Sequence, residues 1–180
     1  AYNKENKTNK ITGRFFQTKP MEELYDTSRD SDNINNLINQ PEYKEVIQEL
    51  RTALNNQQKA IYDAGMLPES EIVEQAKKAK LTIYDYVRDS KHYNLNAYLE
   101  TSDLALKNDP LNLNLLTEKL QDTDSGVRYW ATVGLFNLQD KIIIDPKLIK
   151  PLLNDKSHHV RVMAAWIFYK NGDKTTARNI

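Results

Sequence analysis

Two stretches decide the fold: LLTEKLQDTDSGVRYWATVGLFNLQD (Leu115–Asp140) and LIKPLLNDKSHHVRVMAAWIFYKNGD (Leu148–Asp173). Laid one above the other they need no gap, and their offset is 33 residues. Leu115/Leu148, Leu120/Leu153, Asp122/Asp155, Val127/Val160, Arg128/Arg161, Ala131/Ala164 and Asp140/Asp173 coincide. A fixed period of this length is the signature of stacked helical hairpins, each burying its apolar face against the next. In each unit a leucine-rich first helix ends in a polar turn at the aspartate. The second helix opens with Val-Arg and runs on small and aromatic residues. Ala131, Ala164 and Ala165 let neighbouring helices approach closely. Trp130 and Trp166 read as packing residues, because aromatic stripes at helical spacing face inward.

Outward from the repeat, the pattern stays helical. Helices are expected over 94–107, 111–120, 124–138, 146–153 and 157–169, with another starting at Lys174. Residues 94–108 would supply a lone, degenerate helix of an earlier unit. Further back, Pro41 stands at a first helical position, with Glu42 and Glu45 near the positive end of the dipole. Tyr43, Val46, Ile47, Leu50, Leu54 and Ile61 follow at helical spacing, predicting one long helix from Pro41 to Ala64, stopped by Gly65. Another helix is expected from Pro68 to Lys80. Residues 81–93 read as a packed linker with a short helical turn. Asp32 is expected to cap a turn through Asn36 and Leu37. Nearer the start, Ile11–Phe16 (ITGRFF) and Glu23–Asp26 (ELYD) read as two short β-strands, and residues 1–10 as a loose polar end. The chain begins at Ala1 without Met and carries no signal-peptide pattern, so a processed or excised piece is expected.

Composition narrows the function classes. The 180 residues carry Lys+Arg 25 against Asp+Glu 25, so no global field gathers nucleic acid. Cys 0 excludes a disulfide framework, a thiolate zinc site and a cysteine nucleophile. Mean hydropathy is −0.71, and no apolar run has the length of a membrane span. Only 5 Gly and 6 Pro agree with a mainly helical chain. His158 and His159 are adjacent, so on a helix they point roughly 100° apart and do not face one metal. They read as a solvated turn, Asp30, Asp32 and Asn33 as capping residues, and Lys77, Lys78 and Lys80 as a solvated face. No GxxxxGK[ST], GxGxxG, GxSxG or HExxH occurs.

The repeat unit resembles a HEAT repeat, through Asp122-x4-Val127-Arg128-x2-Ala131 and Asp155-x4-Val160-Arg161-x2-Ala164. In that family the Asp and Arg contact the turns of the adjacent repeat. The resemblance therefore implies structural roles for Asp122, Val127, Arg128, Ala131, Asp155, Val160, Arg161 and Ala164.

The first half resembles the C-terminal end of sulfatases. The run Arg14-Phe15-Phe16-x2-Lys19-Pro20-x-Glu22-Glu23-Leu24-Tyr25-Asp26 continues to Asp30, Asn35-Asn36-Leu37 and Pro41-Glu42-Tyr43. In the family an ELYD strand is followed by a turn and a helix that close a small C-terminal subdomain. Gly65-Met66-Leu67-Pro68-Glu69 is similar to bacterial heparan N-sulfatase-like members, several of which carry helical repeats directly afterwards. The order of tail and repeats is more specific than either part. The family's chemistry uses a formylglycine made from C/S-x-P-x-R together with calcium. Neither maps here, so no catalytic, cofactor or metal residue is carried onto this chain. Residues near Arg14 to Lys19 are expected to border the substrate cleft of a complete enzyme.

The expected fold is thus mainly α: helical-hairpin, HEAT-like repeats of the alpha-alpha superhelix type, preceded by a short β-strand pair and a long helix. The expected division is a sulfatase-like tail over 1–69, a packed linker over 70–93 and a repeat module over 94–180. The implied function is that of a non-catalytic C-terminal part of a sulfatase-family hydrolase acting on sulfated glycans such as glycosaminoglycans. Its partners would be the rest of the parent domain, and a protein or a second copy through the repeats. The resemblance implies a periplasmic or extracellular setting. The alternative is a stand-alone helical-repeat interaction module.

Overall fold

Asn9 sets the conformation of the first segment. The computed structural model describes residues 7–9 and 11–178, so the expected loose end over 1–10 falls largely outside the described residues. The Asn9 carboxamide oxygen accepts from the amides of Ile11 and Thr12, each at 2.9 Å, and the Thr12 hydroxyl donates back to it. That cap drives Thr12–Phe16 into a 3₁₀ turn. The expected β-strand pair is therefore not formed, and no strand occurs among the described residues. Glu23–Asp26 is irregular. The Leu24 amide donates to Asn36 Oδ1 and its carbonyl accepts from Leu37 N, which leaves one backbone bond where a strand pair would need a ladder. The mainly helical expectation agrees with the structure.

The chain divides into two compact units, Ala1–Leu54 and Asn55–Ile180. Polar side chains hold the first. Arg14 donates to the carbonyls of Asn33 (3.0 Å) and Ile34 (2.9 Å) and to the Tyr25 hydroxyl (2.9 Å). Asp30, rather than the expected Asp32, organises the following turn by accepting from the amides of Ile34 and Asn35. Arg51 and Glu22 form a two-pronged ion pair, with Nε to Oε1 at 2.8 Å. Helix α1 (Lys44–Ile61) begins in this unit after a 3₁₀ turn at Pro41–Tyr43. It ends before the predicted Gly65, because Tyr62 takes a left-handed conformation (φ 55°) and Asp63 caps the next turn through Gly65 N.

The second unit is built from α2 (Glu69–Ala79), α3 (Ile83–Arg88), α4 (Leu95–Lys107), α5 (Leu113–Lys119), α6 (Ser125–Leu138), α7 (Pro146–Ile149), α8 (His158–Lys170) and α9 (Lys174–Ala177). Helix α4 packs along α6, and α6 along α8. Helices α5 and α7 start the two hairpins. The fourth predicted helix breaks at Lys150–Asn154 into a 3₁₀ turn, because Pro151 has no N–H for the Lys147 carbonyl. Two apolar cores result. One holds Leu116, Leu135, Leu138, Ile149, Val160 and Ile167. The other holds Met66, Leu67, Ile72, Tyr86, Tyr93 and Tyr98. Trp130 of α6 packs against both, and its indole N–H donates to the Met66 carbonyl at 2.7 Å.

Among the described residues of this unit, Asn108 Oδ1 and Gln139 Oε1 are buried without a hydrogen-bond partner, whereas the buried tyrosine hydroxyls are partnered. Tyr98 Oη donates to Asp124 Oδ2 at 2.8 Å, and Tyr93 Oη to the Asp63 carbonyl at 2.7 Å. Burial pushes both phenols far above their ordinary range.

Candidate functional site

The repeat turns are the best-defined polar constructions in the chain. Asp124 caps α6 and Ser157, one period later, caps α8. Arg128 Nη1 donates to the carbonyls of Asp122 and Thr123, at 2.8 and 3.0 Å. Arg161 Nη1 makes the equivalent clamp on the carbonyls of Asp155 and Lys156. Arg128 then reaches into the next turn: its Nε and Nη2 donate to the Asp155 carboxylate at 2.7 and 2.8 Å. The side chains of this pair are only 12% and 8% exposed. Burial pushes the Asp155 carboxyl up, but the Arg128 fork and the Ser157 amide outweigh it and hold it below the carboxylate range. The same bond raises Arg128 further. Asp122 accepts from Asp124 N instead, because residue 95, one period before Arg128, is a leucine. Val127, Val160, Ala131 and Ala164 are all buried under these turns.

A buried carboxylate that sequence reasoning missed joins both turns. Glu71 of α2 is 2% exposed. Its Oε1 accepts from Ser125 Oγ at 2.6 Å and from Gln75, and its Oε2 accepts from Ser157 Oγ at 2.9 Å. It sits at the N-terminal ends of α6 and α8, where the helix dipoles favour an anion. Its partners lie 54 and 86 residues away, so no local pattern announces it.

The histidines do not assemble. His92 Nδ1 lies on Asp89, and His158 meets Arg161. His159 Nε2 lies 2.8 Å from Ser70 Oγ, an arrangement with the outline of a nucleophile and base. Among the described residues no hydrogen-bonding third group orients the ring, which forms a T-shaped pair with Tyr129, and the Ser70–His159 pair lies on the exposed surface. It ties α2 to α8. Among the described residues, no three His, Cys, Asp or Glu side chains group as metal ligands. No helix among them is long and apolar enough to cross a membrane.

The first unit offers a different surface. A groove of about 930 Å³ is lined by Arg14, Phe15, Lys19, Tyr25 and Ile34, which includes the segment expected to border a substrate cleft. Ile47 is the one buried residue among those described in this unit. Val46, Leu50 and Leu54 stand four apart along α1 and are exposed, and Phe15 is 87% exposed. An apolar stripe at helical spacing that faces outward is a surface made to be covered.

Comparison with known proteins gives one partial likeness. A stretch of 70 residues is 41% identical to the ulvan-active sulfatase of Formosa agariphila. That stretch is 38% of this chain and 12% of the relative, so the chain spans a small part of that protein's length. No family model matches the chain, and no solved structure matches it. The chain thus contains a sulfatase-related region.

Proposed function

We propose that this chain is a C-terminal, non-catalytic part of a sulfatase-family hydrolase. The parent reaction is hydrolysis of sulfuric esters or sulfamates on sulfated glycans. The likeness to a sulfatase over 70 residues, read with the outward apolar stripe of α1, carries the reading. The first unit has almost no core of its own; covering Val46, Leu50 and Leu54, each about half exposed, would contribute about 1 kcal/mol each, and covering Phe15 about 2 kcal/mol. The occupant of that face is the rest of the sulfatase domain, which would also supply the formylglycine and calcium of the chemistry. The stacked hairpins then follow as a HEAT-like structural module, and the setting is periplasmic or extracellular.

Reading the gene before Ala1 tests this first. A C/S-x-P-x-R motif in an upstream domain supports it, and a different domain refutes it. The purified chain should release no sulfate from an aryl sulfate or a sulfated disaccharide; turnover by the chain alone counts against the reading. Mixed with the upstream domain, the chain should form a complex in size-exclusion chromatography. Leu50→Glu with Leu54→Glu should abolish that complex while leaving the chain's own melting temperature nearly unchanged, since both side chains are exposed.

A stand-alone interaction module is the second reading. It draws on Val162, Trp166 and Tyr169, exposed along α8. Self-association in light scattering that a Trp166→Ala variant loses would favour it.

A further inference from the structure

Helices α4, α6 and α8 follow one another at the 33-residue offset, so equivalent positions can be compared across all three. One line of positions, spaced by four and then three residues, lies on a single helical face. On α6 it holds Tyr129, Val133 and Phe136, all partly buried. Tyr129 meets the His159 ring and Phe136 the Trp166 ring, both on α8. On α4 the same positions hold Asn96, Glu100 and Asp103, which are polar and exposed. On α8 they hold Val162, Trp166 and Tyr169, exposed by 44%, 57% and 51%. Helix α8 thus has the apolar line of a covered helix and the exposure of an uncovered one. Helix α9 packs against α8 and leaves all three exposed.

The arginine that opens each helix divides in the same way. Helix α4 has Leu95 at that position. Helix α6 has Arg128, whose Nε and Nη2 fork onto Asp155 of the turn that follows. Helix α8 has Arg161. Its Nη1 clamps its own turn as Arg128 does, but its Nη2 meets His158. Among the described residues Arg161 forms no ion pair. The apolar line and the arginine travel together: absent from α4, present and engaged on α6, present and unengaged on α8. An arginine fork in this setting calls for a carboxylate.

We propose that this face of α8 docks one further helical hairpin, whose opening turn carries an aspartate that Arg161 holds as Arg128 holds Asp155. The contact continues the α6–α8 interface by one period. A second copy of this chain does not meet the requirement. Its Asp122 is without an arginine, but α4 already packs where the approaching helix would lie. The occupant is a hairpin outside these 180 residues, with an apolar first helix and an acidic turn. The inference uses residues of the second unit alone and does not rest on the sulfatase reading; the gene sequence before Ala1 bears on neither its success nor its failure.

The probe is the full chain carrying a copy of its own residues 148–173 directly after Ile180. That placement keeps the period, so the copied Asp155 falls 33 residues beyond the original. The extended chain should melt at least about 5 °C above the unextended one, and the amides of α8 should exchange more slowly. Arg161→Ala should lower the melting temperature of the unextended chain by about 2–4 °C and that of the extended chain by about 6–12 °C. Alanine in place of the copied Asp155 should remove that excess. Val162→Glu should cost the unextended chain little, because the side chain is exposed, and erase most of the extended chain's gain. An extended chain that melts no higher, or a gain that survives alanine at Arg161 and at the copied Asp155, would overturn the proposal. So would a dimer of the unextended chain in light scattering that Val162→Glu abolishes, since a second copy would then be the occupant.

Discussion

Arg128→Ala and Arg161→Ala occupy the same place in the two repeat units and should not cost the same. Arg128 loses four hydrogen bonds, two of them a fork on a carboxylate whose side chain is 8% exposed. Removing one partner of a buried pair costs about 3–5 kcal/mol. The Ser157 amide stays on Asp155 at 2.8 Å, and the freed carbonyls of Asp122 and Thr123 belong to exposed residues that water reaches. Those two facts place Arg128→Ala near the lower end, about 3 kcal/mol. Arg161 loses one part-buried and one exposed carbonyl bond and its contact with His158, and leaves no charge unpaired, at about 1 kcal/mol. At roughly 2–4 °C per kcal/mol for a chain of this size, the melting temperatures should fall by about 6–12 °C and about 2–4 °C. The pH dependence follows from the direction of the Asp155 shift. Its folded value lies below 3.8, so the pair contributes fully above that value. The contribution is lost as pH falls through the lower folded value. Thermal melts from pH 7 to pH 2 should therefore show the gap between the two variants closing only below about pH 4. Equal costs at pH 7, or a gap that closes near neutrality, would refute the argument.

Two further substitutions probe the second unit. Gly126→Ala places a methyl 2.6 Å from Tyr98 Cε1 and 2.7 Å from Leu67 Cδ2, both buried, so about 1–3 kcal/mol of stability should be lost in a thermal melt. Glu71→Gln leaves one acceptor oxygen for two serine hydroxyls; a loss of about 1–3 kcal/mol in urea unfolding is expected, and a neutral result would remove Glu71 from its bridging role.

Much of the second unit is legible in the residues themselves. The 33-residue offset, the Val-Arg starts and the Asp109-Pro110 and Asp145-Pro146 steps mark helix after helix within a residue or two. What local pattern missed was decided by side chains elsewhere. ITGRFF has strand propensity, but Asn9 supplies a cap that makes a 3₁₀ turn cheaper than an unpaired strand. Tyr62, not Gly65, ends α1, because Asp63 captures the turn that follows. In the candidate site, Arg128 and Asp155 were visible as repeat positions. Glu71 became meaningful only once distant turns met.

Trp130 packs against both apolar cores, so loosening one strips contacts from the other. The stretch from Asn55 onward should therefore melt in a single cooperative step. The amides of α6 should be the slowest to exchange with solvent deuterium, because opening them means dismantling both halves at once. A helix placed in that way is the spine of the second unit.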